Sequence, residues 1–68
     1  MAVSGGMTSA YRCRVQDNRL SVSPTTYPSS YCTDVESAVK SLGRGESVIV
    51  AAGDMTRLRL ALMSHNIG

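Results

Sequence analysis

Tyr11-Arg12-Cys13-Arg14-Val15-Gln16-Asp17-Asn18-Arg19-Leu20-Ser21-Val22-Ser23-Pro24 is the stretch on which the fold turns. Apolar and polar residues alternate through it, with Tyr11, Cys13 and Val15 against Arg12, Arg14 and Gln16, and Leu20 and Val22 against Arg19, Ser21 and Ser23. Period two is the signature of a half-buried strand. Asp17-Asn18 separates the two runs, and both residue types tolerate the positive φ that a two-residue hairpin turn demands. Pairing Gln16 with Arg19 sets Val15 against Leu20, Arg14 against Ser21, Cys13 against Val22 and Arg12 against Ser23, so every cross-strand pair matches in polarity. A β-hairpin is therefore expected.

Outward from the hairpin, residues 24–33 hold two prolines and five Ser or Thr residues and read as a ten-residue loop. Thr33 and Glu36 have capping-box spacing. Val35, Ala38, Val39 and Leu42 then recur at helical spacing, and Gly43 stands where a left-handed cap residue is usual. After the turn Gly43–Glu46, the run Ser47-Val48-Ile49-Val50-Ala51 is β-branched and apolar on both faces, which predicts a central or semi-central strand. Asp54 suits an N-cap, and a helix is expected from Met55 to about Asn66. The order β, β, α, β, α predicts an α+β fold, a three-stranded antiparallel or mixed sheet with both helices on one face. Met1-Ala2-Val3-Ser4-Gly5-Gly6 reads as a flexible leader, taken here over residues 1–10, with one domain over 11–68.

The 68 residues, 43% hydrophobic and 18% charged, suffice for one small domain that buries roughly 60% of its unfolded surface. Three tyrosines are the only aromatic residues, so Val, Leu, Ile, Met and Ala must supply the core. The longest apolar run, Val48–Ala52, falls far short of the roughly 20 residues needed to cross a bilayer, and no secretory signal is evident, so a cytoplasmic protein with no membrane partner is expected. Cys13 and Cys32 match no zinc or redox spacing and read as two reduced thiols.

In the last helix Met55, Leu58, Ala61 and Leu62 share a sector of about 120° with His65 at its middle. That face is assigned to the core. Leu60, Met63 and Ile67 form a second apolar cluster, and one sheet cannot cover both, so this cluster either packs under the loop at residues 24–33 or the first helix, or is an interface for a partner or a homodimer, the reading preferred here. Tyr27 and Tyr31 are further candidate contacts, as amphipathic rings on a loop. No catalytic constellation stands out. His65 has no triad, the five carboxylates sit at turns and helix starts, and Gly43-x-Gly45 precedes a strand instead of opening a helix. No enzyme activity, metal or cofactor is expected.

Arg12, Arg14 and Arg19 share the outer face of the hairpin. Residues 1–23 carry three arginines and one aspartate, +2, while Lys40, Arg44, Arg57 and Arg59 cancel Asp34, Glu36, Glu46 and Asp54 in the remainder. Such a basic ribbon suits a major groove or a phosphate backbone, although it lacks an aromatic platform for gripping single strands.

The stretch Leu42-Gly43-Arg44-Gly45-Glu46-Ser47, the apolar strand after it, and Asp54-x-x-Arg57-Leu58-Arg59-x-Ala61-Leu62 closing on Ile67-Gly68 resemble small phage- or prophage-encoded accessory proteins. The resemblance covers about half the chain. It implies a compact non-enzymatic protein that binds a host protein or complex and blocks or redirects it, or one that binds DNA as a small regulator. The expectation is therefore a small interaction protein of the inhibitor type. The alternative is a nucleic-acid-binding regulator that uses Arg12, Arg14 and Arg19.

Overall fold

The computed structural model describes residues 6–68, an α+β fold of three antiparallel strands and two helices. Strand β1 covers Met7–Gln16 and β2 covers Arg19–Pro28. Helix α1 covers Val35–Gly43, strand β3 covers Val48–Ala51, and helix α2 covers Met55–Met63. Single turns of 3₁₀ helix at Ser29–Tyr31 and Ala52–Asp54 lead out of β2 and into α2.

The hairpin adopts the register that polarity matching requires, from Gln16↔Arg19 through Arg12↔Ser23, with Asp17 at φ 52° and Asn18 at φ 61°. It is longer than its alternating core. Pairing continues to Met7↔Pro28, so residues 7–10, expected in the leader, are strand, while residues 1–5 lie outside the described residues. Pro24 and Pro28, read as loop residues, also sit in β2. The hairpin closes on Gln16↔Arg19, so hydrogen-bonded and non-hydrogen-bonded pairs alternate from there and both prolines fall in non-hydrogen-bonded positions. The N–H that each lacks would have pointed off the free edge of β2. Edge prolines cost the ladder nothing and discourage a further strand from pairing there.

The strand order is β2-β1-β3, which makes β3 an edge strand where a central or semi-central one was expected. Its two apolar faces have another cause. Val48 and Val50 face the helices, while the backbone N–H of Thr33 donates to the Ile49 carbonyl at 2.7 Å on the outer edge. The chain thus leaves β2 at one edge of the sheet and docks beside β3 at the other. Its crossing covers one end of the outer face, and Ala10 on the central strand is buried there.

Thr33 is committed to this docking, and the N-cap of α1 is Asp34, whose carboxylate accepts from the Ser37 backbone N–H at 3.1 Å. The left-handed residue after α1 is Gly45 at φ 81°, not Gly43. Glu46 N–H donates to Ser41 C=O and Gly45 N–H to Leu42 C=O, the paired bonds of a Schellman turn. Helix α2 ends in the same way. Asn66 at φ 60° lets the Ile67 N–H reach Leu62 C=O and the Asn66 N–H reach Met63 C=O. At its start Asp54 makes no side-chain cap bond and lies 3.8 Å from Arg57.

The core unites one face of the sheet with both helices: Cys13, Val48 and Val50 pack with Ala38 and Leu42 of α1 and with Met55, Leu58 and Leu62 of α2. Tyr11, Val15, Leu20, Val22 and Ile67 border it. Ile67 turns back toward the hairpin, and Gly68 exchanges backbone bonds with Leu20 N–H and Asn18 C=O. No helix among the described residues is long and apolar enough to cross a membrane.

Candidate functional site

Side-chain parity in the observed register puts Arg12, Arg14, Gln16, Arg19, Ser21 and Ser23 on one sheet face, and all six are exposed. Both helices pack on the opposite face, and the crossing segment covers only the end near Ala10 and Ile49. The arginine end of the ribbon therefore lies open. Among the described residues the ion pairs are Arg44–Glu46 at 3.2 Å and Arg57–Asp54 at 3.8 Å. Arg12, Arg14 and Arg19 have no carboxylate partner, and the one acid nearby by sequence is Asp17 in the turn.

The same parity brings Tyr27 onto the arginine face. Arg12 Nη2 donates to Tyr27 Oη at 3.4 Å, a long bond, and the Tyr31 ring stacks on Tyr27 with centroids 6.0 Å apart and planes at 13°. Tyr27 is half-buried, whereas Tyr31 is 66% exposed. Beside the stack lies a cleft of about 430 Å³ lined by Arg12, Tyr27, Tyr31, Thr33, Ser47 and Ile49. This corrects the expectation that the ribbon lacks an aromatic platform. The sequence separates Tyr31 from Arg12 by 19 positions and assigns them to different surfaces. Only the extension of β2 through Pro28 joins them, and the weak signal for it was the continued pairing of Ser9 and Thr8 with Thr26 and Tyr27.

Of the second apolar cluster of the last helix, Met63 and Ile67 border one cleft of about 190 Å³ with Leu20, Arg59 and Leu62. Leu60 and Met63 are exposed, at 61% and 65%, but Ile67 is half-buried against the core because the chain reverses at Asn66. The same early ending of α2 leaves His65 exposed, where extrapolated helical spacing assigned it to the core. His65 instead borders a cleft of about 630 Å³ between the helices, whose apolar lining is Val35, Val39 and Ala61 and whose rim carries the Asp54–Arg57 pair. Among the described residues no group of three or more His, Cys, Asp or Glu side chains is arranged to hold a metal ion.

Cys13 and Cys32 are both free thiols. Burial raises the pKa of Cys13, a shift that the charge of Arg59 partly offsets, and its Sγ lies 3.8 Å from Met55 Sδ. It behaves as a core side chain. Comparison with protein-family models, with curated proteins and with solved structures finds no match to this chain.

Proposed function

We propose that this protein is a small nucleic-acid-binding module that holds the phosphate backbone on the outer face of its hairpin through Arg12, Arg14 and Arg19. The observation that carries the reading is an open sheet face bearing three exposed arginines without a carboxylate partner among the described residues. Guanidinium groups bind phosphate oxygens in bidentate fashion, and their planar fork loses less side-chain entropy per hydrogen bond than a flexible ammonium does.

Fluorescence anisotropy with labelled oligonucleotides, titrated across a range of salt, tests this. Each neutralised phosphate contributes about 0.9 to the slope of log affinity against log salt on a duplex and about 0.7 on a single strand. Replacing all three arginines by glutamine is expected to flatten the slope by about 2–3. Wild-type protein that binds no nucleic acid at low salt would overturn the reading, as would a triple variant that keeps the wild-type slope.

A second reading, a non-enzymatic protein that binds a host protein or its own copy, draws on the exposure of Leu60 and Met63 on α2. Two side chains are a small share of the roughly 800 Å² per partner that a standard interface buries, and this reading ranks below the first. Light scattering separates them: a wild-type dimer that Leu60→Asp dissociates would restore it.

A further inference from the structure

We infer that the nucleic acid is single-stranded, with one unpaired base stacked on the open face of Tyr31 and the adjoining backbone carried along Arg12, Arg14 and Arg19. This rests on the phosphate-binding reading above and adds the class of strand.

Tyr27 and Tyr31 lie in an offset stack, with centroids 6.0 Å apart and planes at 13°, and Tyr31 remains 66% exposed. A large aromatic ring is thus presented to solvent beside a second ring that lies nearly parallel to it. Base-on-aromatic stacking needs such a ring. Arg12 is the junction. It touches the Tyr27 hydroxyl at one end of the platform and begins the row of arginines that continues to Arg14 and Arg19.

The adjacent open cleft has a volume of about 430 Å³. Thr33, Ser41 and Ser47 line it, and their hydroxyls are able to pair with the edge of a base seated on Tyr31. From the row of Tyr27, opposite Thr8, to that of Arg19, opposite Gln16, the ribbon runs about 27 Å at 3.4 Å per residue. That holds about eight nucleotides at the spacing of a helical strand, and fewer of an extended one.

A duplex keeps its bases stacked inside and offers Tyr31 no free π-face, so the platform has work to do only on an unpaired strand.

The test compares a labelled twelve-residue oligothymidine with a twelve-base-pair duplex, using anisotropy at one low salt concentration. Wild-type protein is expected to prefer the single strand. Tyr31→Ala, an exposed position where circular dichroism and thermal melting verify folding, is expected to shrink that preference by about 5- to 150-fold, the span of one lost stacking contact. Tyr31→Trp is expected to retain it. Equal wild-type affinity for the two oligonucleotides overturns the inference and leaves the arginine reading standing, as does a Tyr31→Ala variant that keeps the single-strand preference. Wild-type protein that binds neither overturns both.

Discussion

Helix α2 carries three leucines within five residues, and the structure gives them opposite fates: Leu58 and Leu62 are 0% and 1% exposed, and Leu60 is 61% exposed. Truncating each to alanine measures the orientation of the helix directly. Leu58 packs among Cys13, Val50 and Met55 in the single core cluster, so Leu58→Ala removes buried methyl groups and leaves a void, at a cost of about 2–5 kcal/mol. A domain of this size has a net stability of about 3–9 kcal/mol, so the loss takes a large fraction of it. At roughly 4–8 °C per kcal/mol, the melting midpoint falls by about 8–40 °C. Leu62→Ala is expected to behave alike. Leu60→Ala, on the solvent side and into a residue with the best helix propensity, should stay within about 0.5 kcal/mol of wild type. Urea unfolding followed by circular dichroism gives all three values on one scale. A Leu60→Ala loss equal to that of Leu58→Ala, or a Leu58→Ala loss below about 1 kcal/mol, would refute the packing described here.

Three further outcomes are expected. Asp34 is held below its ordinary value of 3.8, chiefly by the Ser37 backbone N–H, and Glu46 below its ordinary 4.5 by Arg44. Both pKa values are depressed on folding, so their contribution is complete above the ordinary values and disappears as pH falls through the lower folded ones. Thermal melting should therefore show stability declining with acidification from about pH 4.5 downward, and Asp34→Ser, which keeps an N-cap, should reduce that acid dependence; an unchanged profile would contradict the cap. In native protein the half-exposed Cys32 should react with a thiol reagent at once, and buried Cys13 only on opening or denaturation; two equally fast thiols would contradict the burial of Cys13. Asn18, at φ 61°, should accept glycine without loss of fold, whereas Asn18→Val should cost about 1–2 kcal/mol because a β-branched side chain is strained there; a neutral valine variant would contradict the turn geometry.

What the chain determines by itself is what short-range periodicity encodes. The hairpin register from Arg12↔Ser23 to Gln16↔Arg19, the turn at Asp17-Asn18 and the apolar stripe of α1 are legible because each depends on residues a few positions apart. The three arginines of the outer face follow from the same alternation. Errors begin where a local rule competes with a distant partner. Thr33 has capping-box spacing but gives its backbone N–H to Ile49, and the cap falls to Asp34. Gly43 precedes the one glycine, Gly45, that the Schellman turn uses. The reversal at Asn66 takes Ile67 to the border of the core and His65 to solvent, so Leu60, Met63 and Ile67 do not share one helical face, although Met63 and Ile67 still border one cleft. Tertiary structure alone decided that β3 lies at an edge and that Tyr27 and Tyr31 stand beside Arg12. Strand order and the path of a crossing segment depend on which surfaces bury one another, and no window of neighbouring residues contains that information.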